Sequence, residues 1–453
     1  MIEPINFKVA TEETVSNLVR LIQTQTVNPP GNELPAILVV KDILENAGFP
    51  QDSVKIVESA PNRVNLIARI KGDGSMRPLL LSGHVDVVPV ERDLWSHDPF
   101  GGEVIDGVVW GRGALDMKGF LAMYLQVFLG LSRQHTPLKR DVILAAIADE
   151  EAGFTHGSKF LVEQHRDLID AEYGLTEGGA MSIYFGKIKV YPIQAAEKGV
   201  CWLRATAHGK PGHGSIPHAD NPVFALAKAI EKLRQAGHLP VHLTPTFLKM
   251  LDAASSQVKF PLGILTKLLH SPVLMNLLLN RMKGDSRNML SALVTNTISP
   301  TMLHSGSKVN VIPSTAEVNI DCRLVPGQTP ESVIHEIHQI VGEGIGLEPI
   351  YTTSGAEFSI ETPLFKLLER RTRQMDPGGL VIPMMMPGAT DACQYQQAGI
   401  KVYGFTPGIL PPGIPVMRMA HGHDERIPVS FIESGLPVLW DVVNEFCGKG
   451  MGA

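Results

Sequence analysis

The 453-residue chain has only four cysteines, Cys201, Cys322, Cys393 and Cys447, far apart and with no Cys-x-x-Cys among them. That spacing argues against a thiolate zinc cluster or a disulfide framework, and scattered reduced thiols suit a cytoplasmic protein. Basic residues are not in excess: 40 Lys and Arg face 46 Asp and Glu, a formal net charge of −6. Such a balance offers no basic face, so no nucleic-acid partner is expected. Long apolar runs are also missing. The most apolar stretch, residues 268–280, contains Pro272 and is too short to cross a bilayer, so no membrane partner is expected. The opening residues Met1-Ile2-Glu3-Pro4 lack the basic start and apolar core of a secretory signal. Gly-x-Ser-x-Gly and a phosphate loop are absent, and Gly111-x-Gly113 lacks the third glycine of a dinucleotide fingerprint, which disfavours serine hydrolases and nucleotide enzymes.

What is present is enough apolar sequence for two domains, 44 % hydrophobic residues, and 16 histidines. Residues 1–198 alternate helices and strands: helical stripes at 12–23 and 36–47, a strand at 64–70, a wholly apolar strand at 78–83, a helix apolar all round at 120–131, a second buried strand at 141–148 and a helix at 157–165. Apolar strands between helices predict an open α/β sheet covered on both faces. From 199 to 357 the pattern changes to half-exposed strands at 201–207, 309–312, 316–324 and near 349–353, with helices at 222–233, capped by Asn221, and after Thr329-Pro330-Glu331. That β-α-β-β-α-β order predicts a small antiparallel sheet with helices on one side, carrying an apolar helical insert at about 244–293. Residues 358–453 resume the α/β pattern. The expected fold is therefore an α/β catalytic domain, 1–198 and 358–453, interrupted by an inserted α+β domain, 199–357.

Acidic residues and histidines gather where the strands end. His84 follows one apolar strand, and Asp86, two residues on, projects to the same side, where a carboxylate can accept the second imidazole N–H. Asp116 lies in a glycine-rich turn before the buried helix, Asp149-Glu150-Glu151 closes the second buried strand, and Glu177 closes a third. His421-Gly422-His423-Asp424-Glu425 ends a loop rich in Pro and Gly. Singly, each is an ordinary turn former or a solvated strand edge. Their shared place on the carboxyl edge of one sheet predicts a ligand site. Carboxylates and imidazoles without thiolates suit zinc, manganese or cobalt, and two such ions about 3.5–4 Å apart make a hydrolytic centre. His335-Glu336-Ile337-His338 mimics half a zinc motif, but its second histidine is at i+3 rather than i+4, so it is expected to lie on a surface helix.

The segments Ser82-Gly83-His84-Val85-Asp86, Gly111-Arg112-Gly113-Ala114-Leu115-Asp116-Met117-Lys118-Gly119, Asp149-Glu150-Glu151, Thr176-Glu177-Gly178 and His421-x-x-Asp424-Glu425 resemble the M20 metallopeptidases. That family includes aminoacylase, acetylornithine deacetylase, succinyl-diaminopimelate desuccinylase and glutamate carboxypeptidase. The resemblance implies a zinc-peptidase-type mixed sheet with a ferredoxin-like lid and dimerisation domain, and a homodimer formed through it. It implies His84 and Glu177 on one metal ion, Glu151 and His421 on the other, Asp116 bridging both, Asp86 orienting His84 and Glu150 as general base. Its His-x-x-Asp-Glu spacing selects His421 over His423. It also implies His213, in Gly212-His213-Gly214, as an oxyanion donor reaching a neighbouring subunit. Asn310 would bind the scissile carbonyl, Arg323 the substrate carboxylate, and Gly388 would open a substrate loop. One departure stands out: Cys393 occupies the place of an arginine found in several members, which questions a free substrate carboxylate there. The expectation is a dinuclear amidohydrolase, with Zn2+ foremost and Co2+ or Mn2+ as substitutes, acting on N-acyl amino acids. Carboxypeptidase or dipeptidase action, carbamate or ureido hydrolysis and a non-catalytic binding role are the alternatives. Glu rather than Asp at position 177 leans to deacylation. Residues 264–269 and 274–279 are expected to line an apolar acyl pocket or an interface.

Overall fold

The computed structural model describes residues 5–186, 188–255 and 267–449. They fold into two compact units: Met1–Ala195 with Phe358–Pro383 and Thr390–Ala453, and Ala196–Glu357 with Met384–Ala389.

The first unit is organised by strands with no polar face to offer water. All six residues of Leu79–His84 are buried, as are all six of Val142–Ile147. Val142–Ile147, Leu79–His84, Tyr173–Thr176 and Lys401–Gly404 lie side by side and parallel. Antiparallel strands flank them: Arg63–Ile70 and then Val54–Ala60 beyond one edge, Ile188–Glu197 beyond the other. The sheet is thus mixed, and the carboxyl ends of its central strands face one way. Helix Lys118–Arg133, buried from Lys118 to Leu131, packs against Leu79–His84. A Cβ on Gly83 would lie 2.8 Å from Met117 Cε and 3.3 Å from Leu121 Cβ, so glycine lets the strand lie close to the helix just before His84. The first helix begins at Phe7 rather than at 12, because Asn6 Oδ1 accepts from the N–H groups of Lys8 and Val9 and caps it.

The second unit has a four-stranded antiparallel sheet in the order Thr297–Ser305, Thr315–Leu324, Gly199–His208, Gly346–Thr353. Helices Pro222–Ala236 and Pro330–Val341 pack on it over a core that includes Leu203, Val318, Ile320, Leu226 and Ile337. This is the ferredoxin-like arrangement. Its second strand is Thr297–Ser305, however, and not the stretch 309–312. Seven of that strand's nine residues are exposed, and Pro300 accompanies a register shift, so it carries no alternating apolar signal. Only Val311–Ile312 of the expected stretch is extended, and it pairs with Gly212–His213. Residues Met384–Ala389, expected in the catalytic domain, group with the second unit, where the Lys198 N–H donates to the Met386 carbonyl. Among the described residues, the helical insert includes Pro245–Ser255, Pro272–Arg281 and Asp285–Val294 around Phe247, Met275, Leu279 and Val294. Of the expected apolar wall, residues 264–266 lie outside the described residues. Among the described residues, no helix is long and apolar enough to cross a membrane.

Candidate metal centre

The carboxyl ends of three adjacent parallel strands deliver His84, the Asp149-Glu150-Glu151 turn and Glu177 to one place. His84 Nε2 lies 3.3 Å from Asp116 Oδ1, 3.6 Å from Glu177 Oε1 and 4.0 Å from Glu150 Oε2. His421 Nε2 lies 3.2 Å from Asp116 Oδ2 and 3.0 Å from Glu151 Oε2. Asp116 thus turns one oxygen to each histidine. Ligand atoms of His84, Asp116 and Glu177, and those of Asp116, Glu151 and His421, lie within 4.8 Å of one another, as do those of His84, Glu150 and Glu151. These donors fit a pair of divalent cations. His84 Nε2 is buried without a hydrogen-bond partner, although carboxylate oxygens surround it, and the donor set is imidazole and carboxylate without thiolate.

Electrostatics make the same point. Burial pushes His84 toward neutrality, but Glu177, Asp116 and Asp86 more than offset this and hold its pKa well above the usual histidine range. Burial and the neighbouring charge of Asp116 push Glu177 up to about 8. Burial, then Glu177, likewise raises Glu150 well above the ordinary carboxylate range. Hydrogen bonds to Asp116 and Glu151 raise His421 to about 10. A concentration of acids that can be relieved only by protons or by bound cations is a candidate functional site.

Support comes from residues around the cluster, among them Asn28, Arg63, Glu33 and Ser158, which the sequence motifs do not single out. Asp86 is less a partner of His84 than expected. His84 Nδ1 lies 3.0 Å from the Asp86 backbone carbonyl and 3.5 Å from its carboxylate. The carboxylate accepts the backbone N–H groups of Glu150, at 3.2 Å, and Glu151, at 3.1 Å, and the Asn28 side-chain amide at 2.8 Å. Asn28 also donates to Asp149, which receives Arg63 at 2.6 Å, and Arg63 pairs with buried Glu33. Burial, partly offset by Arg63, pushes Glu33 up to about 7. Ser158 donates to buried Asp391 at 2.5 Å, and burial raises Asp391 to about 7. Lys118, also buried, donates to the carbonyls of Leu21 and Thr24 and ties the Asp116 turn to the first helix.

The remaining expected residues lie in the second unit or outside the cluster. His213 is exposed, with Nδ1 2.7 Å from Ser215 Oγ. The Gly214 N–H donates to the Asn310 carbonyl, so His213 and Asn310 share one short ladder. Arg323 is engaged by Asp321 at 2.9 and 3.1 Å. Gly388 sits in the Met384–Ala389 segment. Cys393 is 1 % exposed in helix Ala392–Gln397, so its thiol belongs to the core. His423 pairs with Glu91 at 3.0 Å. In the decoy motif, Glu336 meets His242 and His338 meets Glu343.

The family model described as Peptidase family M20/M25/M40 matches residues 80–445. A probable carboxypeptidase S-like 2 of Dictyostelium discoideum is 28 % identical over 81 % of this chain and 71 % of its own length. The N-fatty-acyl-amino acid synthase/hydrolase PM20D1 of Homo sapiens is 26 % identical over 82 % of this chain and 74 % of its own length. The crystal structure of an M20 family metallo-carboxypeptidase from Sulfolobus solfataricus superposes with a TM-score of 0.69 at 18 % identity, covering 95 % of this chain and 98 % of that one. With the paired half-sites around Asp116, the match over most of its length places this chain in peptidase family M20/M25/M40, as a metal-dependent hydrolase of peptide or amide bonds.

Proposed function

We propose that the protein cleaves the amide bond of N-acyl amino acids, with Glu150 as general base beside two zinc ions. The observation that carries this reading is the single Asp116 carboxylate set between two histidine-bearing half-sites, with Glu150 beside them. His84, Asp116 and Glu177 would hold one ion; Asp116, Glu151 and His421 the other. Bound there, the ions would lower the pKa of a water and polarise the acyl carbonyl. Asp86 fixes the backbone of Glu150 and Glu151 together, so one anchored turn carries both side chains. Glu150 takes a proton from the attacking water and passes it to the nitrogen as the C–N bond breaks, giving a carboxylic acid and an amino acid.

The second unit supplies groups suited to substrate. Exposed His213 would donate to the oxyanion of a neighbouring copy's substrate in a homodimer, a role open to an imidazole. Asn310, on the same ladder, would bind the carbonyl. Arg323 would meet a substrate carboxylate and Gly388 would flank it. With a buried Cys393 in place of an arginine, either Arg323 alone would anchor that carboxylate or the substrate lacks one there. Cys201 and Cys322 face each other across paired strands as free thiols, which favours a reducing, cytoplasmic compartment. The N-fatty-acyl-amino acid relative and the exposed Val273, Leu274 and Leu277 of the insert favour an apolar acyl group. The test is turnover of a panel of N-acyl amino acids, dipeptides and N-carbamoyl amino acids with added zinc. A higher kcat/KM for the acyl compounds is expected; preference for dipeptides or C-terminal residues would assign peptidase action, and preference for carbamoyl compounds ureido hydrolysis.

A further inference from the structure

His421 is held differently from the other ligands. His84 ends a buried strand, while Glu151 and Glu177 follow the ends of two others. His421 lies in the loop between Val416–Met419 and Arg426–Pro428, at φ 61°, with its side chain 57 % exposed. No strand end fixes it. What fixes the loop is a set of bonds to the turn that carries Asp116. Glu425, fully buried, accepts from Arg112 Nη1 at 2.6 Å and from the backbone N–H groups of Gly113 at 3.1 Å, Leu115 at 2.8 Å and Asp116 at 2.8 Å. Arg112 Nη2 reaches back to the carbonyl of Gly422, the residue after His421, at 2.8 Å. The Gly111 N–H donates to the Glu425 carbonyl, and Arg426 pairs with Trp110. Four donors on one buried carboxylate, one of them a guanidinium, make a charge-assisted clamp with a defined direction.

We propose that Glu425, with Arg112, is a positioning residue that sets the spacing between His421 and Asp116, and so the affinity of the half-site formed by Asp116, Glu151 and His421. The inference rests on the dinuclear reading above. The other half-site is independent of the clamp except through Asp116 itself, because His84 and Glu177 are placed by the sheet. The clamp therefore acts unequally on the two ions. Partners that orient metal ligands typically change metal affinity by about 10–100-fold when removed.

The experiment is zinc titration of the full chain against a chromophoric chelator, with cobalt absorption as a second readout, for wild type, Glu425→Gln and Arg112→Lys. Melting of the metal-free proteins serves as the folding control. Wild type is expected to bind two ions. Glu425→Gln should keep the first affinity within about threefold and weaken the second by about 10–100-fold. Should Glu425→Gln fail to melt cooperatively, Arg112→Lys, which keeps the charge and loses the fork to Gly422, should show the same split. Two ions in wild type with affinities that fall together, or do not change, in the folded variants would overturn the role of Glu425. Fewer than two ions in wild type would overturn the dinuclear reading itself, and the positioning role with it.

Discussion

The two halves of the acidic cluster share Asp116 yet are built on opposite plans. One half, His84 with Glu177, is buried at the ends of parallel strands, where the hydrophobic sheet fixes the backbone before any ligand arrives. The other, Glu151 with His421, joins a turn held by Asp86 to an exposed loop held by Glu425. Rigidity in the first comes from apolar burial along whole strands. In the second, Glu151 follows a buried strand, but His421 depends on a few hydrogen bonds between segments about 310 residues apart. A centre of this kind would seat one ion by the fold and the other by a polar network, so mutations should separate the two.

Glu150 is assigned to neither half, and its replacement should have the largest effect. Glu150→Gln is expected to lower kcat by about 10²–10⁴-fold, the usual contribution of a general base, while two ions remain bound. Steady-state kinetics beside metal analysis checks this; a loss of metal equal to the loss of rate would make Glu150 a ligand instead. Next come the two histidines, compared in metal-free protein. His84→Ala leaves buried carboxylates without their cationic partner and should cost about 3–5 kcal/mol of stability. His421→Ala, at a half-exposed site, should cost less than about 1 kcal/mol. Urea unfolding of both variants measures the difference, and equal losses would erase the contrast between the halves. The smallest effect is expected for His423→Ala. His423 pairs with Glu91 at an exposed site, so kcat and metal content should stay within about twofold of wild type. A lost ion there would reassign the loop ligand from His421 to His423.

Much of the central cluster is legible in the sequence because His84, Glu150, Glu151 and Glu177 follow the ends of apolar strands, and runs such as 78–83 announce themselves by having no polar face; Asp116 and His421, in a turn and a loop, are marked only by their motifs. The same reasoning misplaces the edge strand of the second unit. Thr297–Ser305 faces water over most of its length, so burial does not pattern it. The supporting network is harder to read. Asn28, Arg63 and Arg112 donate to distant carboxylates, Glu425 accepts distant backbone N–H groups, and no spacing in the chain encodes such a contact. Glu425 is visible as the end of a motif, but its four donors emerge only when the Asp116 turn folds against it. Asp86 shows the same limit: its position two residues after His84 suggests the imidazole partner that lies 3.5 Å away, but not that the same carboxylate anchors the Glu150-Glu151 turn.

The most direct test of the account is to strip the protein with a chelator, confirm by elemental analysis that no divalent metal remains, and follow hydrolysis of an N-acyl amino acid as zinc is returned. The account predicts no measurable turnover in the stripped protein and full recovery at two zinc ions per chain. Undiminished hydrolysis by metal-free protein would contradict it.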